Sequence, residues 1–204
     1  MFAGRTGTVD GFDRPDEFID TNERGLLNLL NLIREVGSLP RVIFPSTRLV
    51  YRGDNVNPLS EDSPKECNTL YAINKLAGEA YLQMYSKSFD IPYTIFRICV
   101  PFGNSVPGAQ SYGTMQHFII KARSGENISI FGDGSQRRTL VHAEDLACLV
   151  LEAAQMEKTQ NNIYNIGGSD VLSLTDIARR IAGFFGVEVS SIPWPPAHLA
   201  IETG

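Results

Sequence analysis

The sequence predicts an α/β protein built on a doubly wound parallel sheet. Three observations carry that expectation. An apolar, strand-like run at 41–51 ends in the hydroxyls of Ser46 and Thr47. A second run, at 91–103, ends in a turn. Between them a helical period runs through Tyr71-Ala72-Ile73-Asn74-Lys75 and on to Leu82. Strand, hydroxyl, loop, helix and strand in that order match a Rossmann-type sheet, whose chemistry sits at the carboxyl ends of its strands.

Composition narrows the function classes. With 204 residues, 43% hydrophobic and 20% charged, the chain can bury a sizeable core. The net charge of −5 and the scattered lysines and arginines argue against a nucleic-acid footprint. No stretch of about 18 apolar residues suggests a membrane span. Cys67, Cys99 and Cys148 are too widely spaced for a metal motif, and no metal site is expected. Cys99 and Cys148 lie in apolar runs and read as reduced core residues, which points to a cytoplasmic protein without disulfides.

The elements follow in order. Glycines at 4, 7 and 11 imitate a phosphate loop, but their spacing is wrong and only three residues precede them. Residues 12–15 read as a turn into a helix over 16–36, with Gly37 as its stop. Residues 52–69, rich in Asp, Asn, Pro and Ser, read as a loop. After Gly103 the composition loosens to about residue 113. A helix is expected at 115–123, a strand at 128–131 and a tight turn at 132–135. A helix from His142 to Ala154 and a short strand at 163–166 come next. Ser173 to Asp176 caps a last helix at 177–185, stopped by Gly186 and followed by an irregular tail.

Tyr71 and Lys75 are four residues apart, so both side chains fall on one helix face. A phenol is a poor base at neutral pH, with a pKa of about 10. A neighbouring ammonium favours the phenolate and lowers that pKa by roughly 1–3 units. The pair suits proton transfer from an alcohol undergoing oxidation.

The surrounding motifs resemble the extended short-chain dehydrogenase/reductases, specifically the NAD-dependent epimerase/dehydratase group. Ser46-Thr47 is followed by Val50-Tyr51 and by Glu61-Asp62-Ser63-Pro64. Tyr71 and Lys75 come next, and then a strand end from Arg97 to Phe102-Gly103. Gly132-Asp133-Gly134 with Arg138, and Tyr164-Asn165-Ile166-Gly167, complete the series. The resemblance implies a nucleotide-sugar epimerase with NAD as cofactor and Thr47, Tyr71 and Lys75 as catalytic residues. It implies cofactor contacts from Phe2, Ala3, Gly4, Asn22, Tyr71, Lys75 and Ile98. Substrate contacts would come from Thr47, Val100 and Arg138, the last a grip on the diphosphate. It further implies a partial cofactor domain at 1–103 and a smaller α+β substrate-binding subdomain at 104–204, with 140–166 partly returning to the first. A homodimer is the expected assembly.

Departures from the family pattern qualify these expectations. Arg48 and Leu49 follow Thr47 where sugar dehydratases carry an acid and a base, so dehydration is disfavoured. Val100 replaces a substrate-binding asparagine, and Thr139 replaces an aspartate after Arg138. A reductase of another carbonyl substrate, and an inactive fragment or binding module, are the alternative readings. The first three strands and the glycine-rich turn of the family are missing, and the C-terminus also looks shortened. NADP stays open, since residues near the end of the missing second strand make that choice. The chain as given is therefore expected to bind NAD at millimolar affinity or worse, because the pyrophosphate normally rests on that turn. Calorimetric titration of the 204 residues with NAD checks this; micromolar affinity would contradict it.

Overall fold

The computed structural model describes residues 3–53, 58–103 and 113–202. The first half runs α1 (Asp10–Asp13), α2 (Pro15–Ile19), α3 (Gly25–Val36), β1 (Val42–Thr47), α4 (Leu70–Phe89) and β2 (Tyr93–Ile98). Next come β3 (Val100–Phe102), α5 (Thr114–Arg123), β4 (Ile128–Phe131), β5 (Arg137–His142) and α6 (Ala143–Gln155). The chain continues with β6 (Asn162–Ile166), β7 (Val171–Ser173), α7 (Leu174–Phe185), β8 (Val189–Ile192) and α8 (Pro196–Leu199). It divides into two compact units, Met1–Ile98 with Cys148–Ile166, and Cys99–Ala147 with Gly167–Glu202.

The first unit holds the parallel sheet, in the order β1-β2-β6. Thr47 stands opposite Ile98, and Ile98 opposite Ile166, so the three strands end level at their carboxyl ends. Leu26, Leu30 and Ile33 of α3 share a core with Val42 and Phe44 of β1, Ile95 of β2, and Leu82 and Tyr85 of α4. Helix α4 starts where the Thr69 hydroxyl accepts the Ala72 N–H at 3.1 Å. It ends at Asp90, in the left-handed region at φ 55°. Gly78 brings α4 hard against β1: a Cβ there would lie 2.6 Å from Phe44 Cζ.

The helix expected at 16–36 is interrupted. It starts afresh at Pro15, whose missing N–H suits a first turn, and widens into a π-turn over Asp20–Arg24 before α3. Asn22, within the wide turn, is buried and holds the Arg5 backbone through both ends of its amide. Helical period alone does not reveal that exchange, because the partner is 17 residues away.

A buried polar network ties this unit together. The Arg97 guanidinium on β2 grips the Glu79 carboxylate on α4 with two hydrogen bonds, of 2.6 and 3.0 Å. Neither side chain is more than 4% exposed. Ser46 on β1 donates to the same carboxylate at 2.5 Å. Arg97 also donates to the Tyr51 hydroxyl at 2.7 Å and to the Glu61 carbonyl at 2.8 Å. Tyr51 in turn donates to Asn165 Oδ1 at 2.6 Å, and the Glu61 carboxylate accepts the Asn165 N–H at 2.7 Å. One charge pair thus joins a helix, three strand ends and the loop after β1.

The second unit is mixed. Strand β5 pairs with β3 in parallel and with β7 antiparallel, while β4 pairs with β8 in parallel. Phe118 and Ala122 of α5, Ile128 and Ile130 of β4, and Ile177, Ala178 and Ala182 of α7 make its core. A reciprocal box between Ser173 and Asp176 starts α7, and Gly186 ends it at φ 72°.

Several expectations are corrected. The strand-like run at 91–103 splits at Cys99 into β2 and β3, which belong to different sheets. Strands β5, β7 and β8 were not anticipated, because their short sequences become strands only through distant pairing. Cys148 is exposed and not a core residue: α6 buries Val150 and leaves Leu149 and Leu151 largely outside. Cys99 is half-buried. Among the described residues no helix is long and apolar enough to cross a membrane.

The ion pair generates a stability prediction. Glu79→Leu alone should destabilise the chain by about 3–5 kcal/mol, since it leaves a buried guanidinium uncompensated. Adding Arg97→Met should restore part of that loss. Urea denaturation of the single and double variants measures both; equal loss in both would deny the coupling.

Candidate active site

The carboxyl ends of β1 and β2 and the first turns of α4 carry four of the expected residues, Thr47, Ile98, Tyr71 and Lys75. Thr47 and Ile98 are register partners at the strand ends. Thr47 is buried, and its hydroxyl oxygen accepts the Leu49 N–H at 3.3 Å, capping the 3-10 turn Arg48–Val50. That bond uses a lone pair and leaves the hydroxyl proton available for another acceptor.

Tyr71 is half-buried and Lys75 is buried on the same face of α4. The Lys75 ammonium lies 4.8 Å from the centre of the Phe44 ring and 5.7 Å from that of Tyr71. Both rings present their negative faces to the cation. Gly4 closes the other side. A Cβ at Gly4 would lie 3.2 Å from Asn22 Oδ1 and 3.7 Å from Lys75 Nζ. The structure therefore brings Gly4, Asn22, Tyr71 and Lys75 together. Ala3 is the exposed residue before Gly4, and Phe2 lies outside the described residues.

Electrostatics in this state differ from the simple expectation for the pair. Burial pushes the Tyr71 phenol up to about 12. Burial also draws the Lys75 ammonium down to about 8. Desolvation penalises each charged form, and it outweighs the help that Lys75 was expected to give the phenolate. Proton removal from Tyr71 thus needs a further stabilising charge or a concerted transfer.

Sequence reading missed the residues that hold this helix face in place. Asn74, fully buried, donates to Glu23 Oε1 at 2.5 Å and lies 3.4 Å from the Asn22 amide. Tyr81 donates to the other oxygen of Glu23 at 2.8 Å. Glu79 follows Lys75 by one helical turn and Tyr71 by two, and that spacing was the available signal.

Val100 and Arg138 belong to the second unit. Val100 is half-buried on β3, opposite Leu140 of β5. Arg138, on β5, is 8% exposed. Its guanidinium donates to Glu202 at 2.5 Å and to the Arg137 carbonyl at 2.8 Å. Among the described residues no group of three or more His, Cys, Asp or Glu side chains converges as metal ligands would.

Lys75 sets the sign of a pH dependence. Its folded pKa of about 8 lies below its ordinary 10.5, so the unfolded chain binds more protons between those values. Its contribution to stability is lost as pH falls through about 8 and is recovered above about 10.5. Lys75→Met should therefore stabilise the chain at pH 7, on the order of 2–3 kcal/mol. The advantage should shrink as pH rises from 8 to 10.5; an advantage independent of pH would show that the ammonium is not penalised.

Comparison with known proteins identifies relatives of this chain. The model of the NAD dependent epimerase/dehydratase family matches residues 1–167. A putative UDP-glucose 4-epimerase of Methanocaldococcus jannaschii is 30% identical over 178 residues, covering 85% of this chain and 57% of that protein. A dTDP-D-glucose 4,6-dehydratase of Mus musculus is 31% identical, covering 88% of this chain and 49% of its own length. Among solved structures, UDP-glucose 4-epimerase of Thermotoga maritima, crystallised with UDP-glucose, superposes with a TM-score of 0.85 at 25% identity. That match covers 97% of this chain and 64% of the other. The chain thus spans about half to three fifths of the length of these curated relatives. With the parallel sheet and the motif series in place, the chain belongs to the NAD-dependent epimerase/dehydratase family.

Proposed function

We propose that this protein acts as an NAD-dependent epimerase of a nucleotide sugar, with Thr47, Tyr71 and Lys75 as its proton-handling residues. The observation that carries this reading is the environment of Lys75: a buried ammonium on the Tyr71 face, bordered by Gly4 and Asn22. Among the described residues it has no ion-pair partner, and burial alone depresses its pKa. Such a group suits a ligand that brings hydroxyls to it.

These residues fit a nicotinamide dinucleotide. Gly4 offers backbone where a side chain would crowd Asn22 and Lys75, and Asn22 holds that segment by the Arg5 backbone. Lys75 would bond the ribose next to the nicotinamide, with Ala3, Gly4 and Ile98 lining the same end. When bound, NAD supplies the hydride acceptor and later the donor.

The chain's own residues handle the proton. The Tyr71 oxygen takes it from the sugar hydroxyl as the carbon is oxidised, and returns it when the carbonyl is reduced on its opposite face. Tyr71 can take the proton only as the phenolate, and Lys75 stabilises that form before the transfer. The Thr47 hydroxyl donates to the reacting oxygen and fixes its position beside Tyr71. In the second unit, Arg138 is the residue suited to a diphosphate, since a guanidinium grips phosphate oxygens in two places.

Dehydration is disfavoured. Arg48 and Leu49 stand in the turn capped by Thr47, and neither serves as an acid–base pair at neutral pH. Two expected outcomes test the reading in a form of this protein that includes a pyrophosphate-binding turn. Tyr71→Phe should lower turnover of a nucleotide hexose at least about a hundredfold; turnover near that of the wild type would remove Tyr71 from the mechanism. Mass spectrometry of the same reactions should show the hexose mass unchanged, with no loss of water. A dehydrated keto-deoxy product would assign the protein to the dehydratases instead.

A further inference from the structure

Gln136 stands immediately before β5, between the Gly132-Asp133-Gly134 turn and Arg138. Its side chain is 8% exposed, and neither its amide oxygen nor its amide nitrogen has a hydrogen-bond partner. Its backbone is held, since the carbonyl accepts the Leu174 N–H at 3.1 Å. The side chain is buried with both of its polar atoms unsatisfied. Buried polar groups are almost always paired, so the exception calls for a reason.

The strand alternation supplies one. Gln136 and Arg138 are buried and Arg137 between them is exposed, as expected when residues two apart face the same side. The two side chains start about 6.5–7 Å apart. Arg138 already holds an anion, the Glu202 carboxylate. A guanidinium donates only, whereas a carboxamide both donates and accepts. Side by side they match a phosphate joined to a ring that bears hydroxyls.

We propose that Gln136 is a ligand-binding residue: its amide takes a hydroxyl of the sugar ring esterified to a phosphate held by Arg138. Glu202 occupies the phosphate position when no ligand is present. This rests on the nucleotide-sugar reading above and adds the residue that distinguishes sugar phosphate from bare phosphate. The ring is either the ribose of the nucleotide or the sugar being converted.

The experiment uses the 204-residue chain and the variant Gln136→Leu, with calorimetric titrations of pyrophosphate, UDP and UDP-glucose. The expected result is unchanged affinity for pyrophosphate and about tenfold weaker binding of the sugar-bearing ligands, the size of one lost hydrogen bond. A penalty already present with UDP assigns the nucleoside half; a penalty seen only with UDP-glucose assigns the converted sugar. Glu202→Gln should tighten all three ligands by removing the competing carboxylate.

Thermal unfolding gives an independent readout. Replacing an unsatisfied buried amide with an apolar side chain of similar size should raise Tm by about 2–4 °C. A lowered Tm would mean that Gln136 is satisfied by water and is structural, which overturns the proposal. Equal loss for pyrophosphate and UDP-glucose, or no loss for either, overturns it as well. If the wild-type chain binds pyrophosphate but no nucleotide or nucleotide sugar, the nucleotide-sugar reading itself fails.

Discussion

The Glu79–Arg97 pair organises the first unit. Both groups are almost wholly removed from water, and both oxygens of the carboxylate are used. A buried pair of this kind adds little net stability compared with apolar residues of the same size, since desolvation consumes most of the Coulomb gain. Its contribution is geometric. Arg97 can grip Glu79, Tyr51 and the Glu61 carbonyl only if α4, β1, β2 and the loop after β1 hold one register. A strand slip of one residue would turn Arg97 to the opposite face of the sheet and leave a carboxylate buried alone.

That constraint bears on the candidate chemistry because Glu79 lies on the helix face that carries Tyr71 and Lys75. Fixing Glu79 fixes the rotation of α4, while Ser46, which donates to it, adjoins Thr47. A second network, through Asn22, Glu23, Asn74 and Tyr81, holds the opposite flank of the same helix. Tyr71 and Lys75 are thus clamped from both sides by hydrogen bonds that do not involve them. Such support is what a proton-transfer pair requires, since small displacements of the reacting groups cost large factors in rate.

The same burial makes the pair costly in the ligand-free chain. A phenol at about 12 and an ammonium at about 8 are each biased toward their neutral forms. In the proposed function, a bound dinucleotide would bring hydroxyls and a nicotinamide charge to this place and relieve that cost. In the second unit, Arg138 meets the corresponding requirement with Glu202. The chain's own carboxylate there satisfies a guanidinium whose proposed partner is a diphosphate.

Local pattern determined a good deal by itself. The helical spacing of Tyr71 and Lys75, the Ser173–Asp176 capping box and the glycine stops are all local features. Each depends on contacts within a few residues, and each stands where the sequence places it. The motif series also sufficed to place the chain in its family. Only the tertiary structure decided the rest. It split the run at 91–103 between two sheets, made strands of β5, β7 and β8, and turned Cys148 outward. It also showed that Arg97, Tyr51, Glu61 and Asn165, scattered over more than a hundred residues as separate motifs, are partners in one network. The physical reason is the same in each case. Strand pairing, burial and the desolvation of charge depend on residues far apart in the chain, and no local period records which of them will meet.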